Sequence, residues 1–363
     1  LKVQPNNLDL LMLAGANAFW LGNLTYEQSN YLATEPMFKR YLAYSEMMYQ
    51  LAPNDFNSIM ELSYSHNSLG SLYLKQFNYA LAKQSFTESL KLKNQALELK
   101  PNNKNLLRDK TDTISWIATT EENLGNLSEA LLMLEQAINQ LDSVLKIRPD
   151  DASLLNDIFN IYMQQSYLLS YFPDKKDAYL KAENATISIK KALRQDPNNV
   201  NFKRKYYRSL SYQLMLLEDN KTSDEAIEVI NYINTLTSSN PTIINIRISL
   251  IKYFINRKNY QKAKELLNEL ENDSEFKERI NNTRKIENES ILIKTYLIKA
   301  KLEKDPISKS EFCRKVISTT EENSSGSKSI KTVYPLIQAY ICLNKVSEIE
   351  KNKSKLIELG ITN

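Results

Sequence analysis

Five prolines constrain this chain more than any other feature. Pro5, Pro53, Pro101, Pro149 and Pro197 follow one another at intervals of 48 residues. Their surroundings match: QPNN, APND, KPNN, RPDD and DPNN. Proline cannot continue a helix, and Asn or Asp can cap the next one. Each proline therefore marks the end of one helix and the approach to another. Ala82, Ala130, Ala178 and Ala226 repeat the 48-residue interval, each early in the second helix of its unit. On the first helix Trp20 and Trp116 lie two periods apart, and Gly22, Gly70 and Ala118 one period apart. Small residues there let a neighbouring helix approach closely.

Within a unit the pattern reads helix, short turn, helix, with predicted helices over 56–75 and 80–99. Leu81, Ala82, Phe86, Leu90 and Leu97 keep one face of the second helix apolar. An amphipathic pair cannot bury its stripe alone, so the pairs must stack. The scarcity of glycine, 6 in 363 residues, argues in the same direction. Hairpins, bulges and phosphate loops all need it.

These residues resemble tetratricopeptide (TPR) repeats. Leu69, Gly70, Tyr73, Ala82 and Phe86 fall at that family's spacings, and so do Gly125, Ala130 and Leu134. The family's unit is about 34 residues; this one is longer by two sevens, each about two helical turns with a drift of only ~20°. The likeness extends to the long TPR tails of bacterial membrane-bound serine/threonine kinases and winged-helix regulators, through TISWIATTEENLGNLSEA (113–130) and LIELGITN near the end. The resemblance implies an all-α, right-handed superhelical solenoid of antiparallel helix pairs. We expect one such TPR-like solenoid over 1–363, with regular units over 6–241 and degenerate repeats and capping helices over 242–363.

Beyond Pro197 the period loosens. A shorter second helix is expected near 224, a unit of ordinary length near 257–270 with Ala263 at the small position, and a long charged helix over 275–303. A short helix holding Cys313, a flexible EENSSGSKS loop (321–329) and a final pair near 331–343 and 346–359, stopped by Gly360, complete the reading. The regular units are expected to persist while the C-terminal third opens first.

The chemistry of catalysis is sparse. His66 is the one histidine, placed mid-helix, where packing or a groove-facing position is expected rather than base catalysis. No phosphate-loop motif is present. Adjacent acids such as Glu121–Glu122 point apart on a helix, and solvated faces explain them. Cys313 and Cys342 are too few for a zinc site or a disulfide framework. Two buried thiols are expected, a pairing requiring the fold to bring them together. KRKYYR (203–208) interleaves basic and aromatic residues, but a helix with packed rings and wet charges accounts for it. The net charge of +4 is small for this length, so neither nucleic acid nor a membrane surface is an expected partner. No apolar run approaches the ~20 residues of a membrane span. No metal or cofactor is expected.

In the resembled family the first (A) helix of each pair lines the concave face. Carried across by register, the groove positions are Tyr64, Asn67 and Ser71; Asp112, Ser115, Thr119 and Glu122; Asn160, Met163, Tyr167 and Ser170; and Arg208, Ser211 and Met215. The lysine–asparagine clamp of chaperone-binding TPRs is absent at these positions. The expected function is a non-enzymatic scaffold that binds a protein or peptide on this face, as the recognition or regulatory region of a larger bacterial signalling protein. A dimerisation or spacer module for an effector domain such as a kinase is the alternative, with the homodimer made through 275–303 or the C-terminal pair. A nucleic-acid-associated regulator is the third reading. The chain enters QPNN directly from Leu1 and reads as part of a longer protein, which leaves cytoplasm and periplasm equally open.

Overall fold

The computed structural model describes residues 6–101, 103–217, 224–235, 241–281, 286–323, 329–359 and 361. Among them are seventeen helices and no strand: an all-α helical-repeat solenoid. The chain divides into two compact units, Leu1–Leu141 and Asp142–Asn363. The first holds α1 (Leu8–Glu27), α2 (Tyr31–Leu51), α3 (Phe56–Lys75), α4 (Tyr79–Leu99) and α5 (Lys104–Leu124). The helix α6 (Leu127–Leu145) carries the boundary. The second holds α7 (Ala152–Leu169), α8 (Lys176–Gln195), α9 (Val200–Leu216), α10 (Asp224–Asn234), α11 (Pro241–Asn256), α12 (Tyr260–Asn272), α13 (Ser274–Asn281), α14 (Ile286–Leu302), α15 (Pro306–Asn323), α16 (Ile330–Cys342) and α17 (Val346–Glu358).

The proline motif works through two linked devices. The residue two after each proline is the N-cap of the next A helix: Asn7, Asp55, Asn103, Asp151 and Asn199 all accept a backbone N–H of the first turn through their side chains. Four of these caps also close a tight turn. Asp55, Asn103, Asp151 and Asn199 donate their N–H to the carbonyls of Ala52, Lys100, Arg148 and Asp196, at 3.1–3.2 Å. Proline then occupies the second position of the turn, where its fixed φ is favoured. Pro5 itself lies outside the described residues.

The turn between the two helices of a pair repeats as well. Ser29, Phe77 and Gly125 stand at one register position and all have left-handed φ, of 58°, 61° and 89°. Lys258 and Asn344 do the same later in the chain, at 58° and 53°. The fourth equivalent is Pro173, which cannot take positive φ. There the connection lengthens, and Lys175 Nζ closes it by donating to the carbonyls of Ser170 and Phe172.

Packing explains the small residues. A Cβ on Gly22 would meet the Phe38 ring at 2.6 Å, and one on Gly70 would meet Phe86 at 2.7 Å. The next equivalents, Ala118 and Leu134, are both fully buried: a methyl is added on one side where a phenyl is exchanged for isobutyl on the other. Ala82, Ala130, Ala178, Ala226 and Ala263 are all at 0 % exposure.

Four expectations are corrected. Cys313 and Cys342 are joined by a disulfide that links α15 to α16. They lie 29 residues apart in sequence, but α14, α15 and α16 pack on one another and bring them together. The helix holding Cys313 is 18 residues long, not short. Glu121 and Glu122 are each only 2 % exposed; Lys83 on α4 reaches Glu121 at 2.5 Å and Asn126 donates to it at 2.7 Å. Of the KRKYYR charges, Lys205 and Arg208 are tied down by other side chains rather than left in water. The expected helix over 275–303 is described as α13 and α14, with 282–285 outside the described residues. Gly360 and most of the 321–329 loop also lie outside them.

Candidate functional site

In the first unit a hollow of about 500 Å³ opens between α1, α2 and α3. Its wall is aromatic. Phe19 stacks on Phe38 (6.2 Å between centroids) and tilts against Tyr41 (5.6 Å), while Trp20 meets Phe19 edge-on and remains 65 % exposed. An exposed indole beside a ring cluster is costly to leave in water and profitable to cover. The polar rim comes from the A helices: Asn23 on α1, and Glu61, Tyr64, Asn67, Ser68 and Ser71 on α3.

The rim is held rigid from behind. Tyr41 donates its hydroxyl to Glu61 at 2.8 Å, and Tyr64 donates to Asp109 on α5 at 2.9 Å. Burial, reinforced by these carboxylates, pushes both phenols well above their usual range, so they remain donors. Behind Tyr64 lies Lys93 of α4, 0 % exposed, its ammonium 5.8 Å from the Tyr64 ring centre. Lys93 Nζ donates to Thr113 Oγ1 at 2.6 Å and Ser89 Oγ at 3.4 Å. Burial pulls its pKa down to about 8, against the pull of Asp109 and Asp112. Asn67 Nδ2 donates to the same Thr113 hydroxyl at 3.4 Å, which fixes the amide plane. The other end of that amide, Oδ1, is buried and has no hydrogen-bond partner among the described residues. Asn67 thus lines the hollow with its amide fixed and its buried oxygen turned away from solvent.

Of the residues expected in a groove, the structure brings Tyr64, Asn67 and Ser71 together in this hollow. Asp112 is exposed, and Ser115 and Thr119 are half-buried along α5, whereas Glu122 is buried. In the second unit Asn160 is exposed, Tyr167, Ser170, Arg208 and Met215 are half-buried, and Met163 and Ser211 are buried. Asn160 and Arg208 are drawn into contacts between helices: Lys205 donates to Asn160 at 3.0 Å and Arg208 Nε to the Tyr167 hydroxyl at 3.0 Å. Phe19, Trp20, Asn23 and Glu61 were missed as site residues. The signal was present in NAFWLGN, where Trp20 served only as a ruler mark. His66 is half-buried on α3, and burial lowers its pKa against the opposing pull of Glu88 and Glu46.

The chain is an all-α helical-repeat protein. A family model described as plant specific mitochondrial import receptor subunit TOM20 matches residues 108–215, less than half of the chain. The crystal structure of the yeast Tom70 is similar at 12 % identity and a TM-score of 0.38, over 96 % of this chain and 92 % of that one. No curated protein matches. Neither likeness names a bacterial kinase or winged-helix regulator, the setting expected from sequence.

Proposed function

We propose that this chain is a non-catalytic protein-binding module that takes a peptide segment on the face of its A helices. The hollow between α1 and α3 is its anchor pocket in the first unit. A large apolar side chain of the ligand enters between Trp20, Phe19 and Tyr41, beside the polar rim of Asn67 and Tyr64. The observation that carries this reading is the exposed Trp20 indole on an aromatic-walled hollow. Tyr64, Ser71, Asp112, Ser115 and Thr119 extend the face along α3 and α5. Buried Glu122 shapes α5 beneath it, and in the second unit Met163 and Ser211 are buried in α7 and α9.

The test uses the full chain carrying Trp116→Phe, which leaves Trp20 as its one indole. Peptides selected from a displayed random library are expected to change Trp20 fluorescence. Trp20→Ala should cost such peptides at least about 2 kcal/mol, as buried aromatic anchors do, and Asn67→Ala about 0.5–1.5 kcal/mol. Selected peptides that bind both variants with parental affinity would place the site elsewhere and end this proposal.

A further inference from the structure

The hollow between α1, α2 and α3 is more than apolar. Its rings form one continuous cluster: Trp20 meets Phe19 at 5.2 Å, Phe19 meets Phe38 at 6.2 Å, and Phe38 meets Tyr26 at 6.2 Å. Ring faces are the negative part of an aromatic quadrupole and attract cations. The chain uses that attraction internally, with the Arg257 guanidinium 3.8 Å from the Tyr253 ring centre. One carboxylate lines the hollow, Glu61, and no lysine, arginine or histidine does so.

The placement of Glu61 follows from register. Glu61, Tyr64, Ser68 and Ser71 are spaced by three, four and three residues, which makes them a single stripe of α3. Glu61 Oε2 accepts the Tyr41 hydroxyl at 2.8 Å, and this fixes the carboxylate at the edge of the rings. Burial is the main reason that the Tyr41 and Tyr64 phenols are pushed up, and Glu61 adds to the push on both. Among the described residues no cation forms an ion pair with Glu61. Buried Glu121, by contrast, has Lys83 at 2.5 Å. The hollow thus joins ring faces to a half-buried negative charge and supplies no positive one of its own.

We infer that the hollow selects an arginine beside the apolar anchor of the bound peptide, and that Glu61 sets this specificity. The apolar side chain enters among the rings. The guanidinium stays at the rim, where it donates to Glu61 and covers the exposed Trp20 indole. Ser68 donates its own hydroxyl to the Tyr64 carbonyl at 2.9 Å, so its oxygen is left to accept a further guanidinium N–H. A planar, weakly hydrated guanidinium gains from ring stacking and from several acceptors at once. A lysine ammonium is a compact, strongly hydrated charge and gains less. This deepens the protein-binding reading of the same hollow and rests on it.

The test repeats the displayed-library selection on three full-length chains: the parent, Glu61→Gln and Glu98→Gln. A glutamine oxygen can still accept from Tyr41, so the first variant removes the charge and keeps the wall. Glu98 is exposed on α4 and serves as the charge control. The parent and Glu98→Gln are expected to enrich arginine next to a large apolar residue, whereas Glu61→Gln enriches the apolar residue alone. The tightest peptide is then compared, by fluorescence anisotropy, with a version carrying citrulline, the uncharged isostere, in place of its arginine. Citrulline should weaken binding about tenfold or more on the parent, as loss of a charged hydrogen bond does, and far less on Glu61→Gln. Both chains should bind the citrulline peptide alike, a readout that damage to the wall would change. Enrichment of the apolar residue without arginine, of lysine in its place, or of arginine equally on Glu61→Gln would overturn the inference and leave the hollow as an apolar anchor. Selected peptides indifferent to Trp20→Ala would remove the hollow itself, and the inference with it.

Discussion

The α1–α5 stack of the first unit and the α11–α16 region of the second solve the same problem differently. In the first, the helices of a pair are keyed together: a glycine on A receives a phenylalanine from B, twice at the same register. In the second, α11 confines most of its polar side chains to one narrow stripe, Asn245, Ser249, Lys252 and Asn256. Ile243, Ile244, Ile246, Ile248, Leu250, Ile251, Tyr253, Phe254 and Ile255 are all buried, and they join α9, α12 and α14 in one cluster. A disulfide then ties α15 to α16. The lesson is that a fixed period is kept by shape and by caps. Where those lapse, apolar bulk and a covalent link hold the helices together.

The largest expected effect breaks the second region. Cys313→Ser/Cys342→Ser opens a loop of 29 residues' separation and should cost about 3–4 kcal/mol. Hydrogen exchange should then show α15 and α16 opening before α3 and α4. With the disulfide intact that difference should narrow. Unchanged melting and exchange would mean that the apolar cluster alone holds the region.

Next comes Lys93→Met in the first unit. Replacing a buried cation by an apolar side chain of similar shape should stabilise by about 1–4 kcal/mol at pH 7. The sign with pH follows from linkage. Folding depresses the Lys93 pKa from 10.5 to about 8, so between those values the unfolded chain binds more protons than the folded one. The parent therefore gains stability as pH rises through 8, and the advantage of the variant should shrink toward pH 10. Thermal melts of both chains across that range check it. A constant or growing advantage would show that the ammonium is better solvated than its position implies.

The smallest effect sharpens the steric key. Gly70→Ala drives a methyl into Phe86 and should cost about 1–3 kcal/mol. Adding Phe86→Leu rebuilds the Ala118/Leu134 combination of the next unit, so the double variant should recover part of the loss. Denaturant unfolding of the two single variants and the double variant measures the coupling. Simple additivity would show that the two positions are not a pair.

Much of this was legible in the sequence, because periodic prolines and alanines report directly on turns and close contacts. Helix α3 was predicted at 56–75 and is found there. The left-handed turn was not legible. Ser29 and Phe77 carry no sign of positive φ, and only Gly125 among the three advertises it. The disulfide was hidden because pairing depends on how α14–α16 pack, which spacing does not encode. Glu121 was misplaced because adjacency on one helix says nothing of Lys83 arriving from another. In the hollow, the α3 residues followed from register, but the α1 wall needed the packing of Phe19 on Phe38 to be seen.

The Gly–Phe key also bears on how such a chain can change in length. A recombination event that removes residues 23–70 joins Gly22 to Ser71 and leaves a glycine facing Phe86, so the surviving pair is already matched. One that removes 71–118 instead sets Gly70 against Leu134. That leaves a gap where the Ala118 methyl used to be, and such a void is costly in a packed contact. Copy number is therefore free to drift among units that share a key. It is checked at the step where glycine and phenylalanine give way to alanine and leucine, since there both halves must move together.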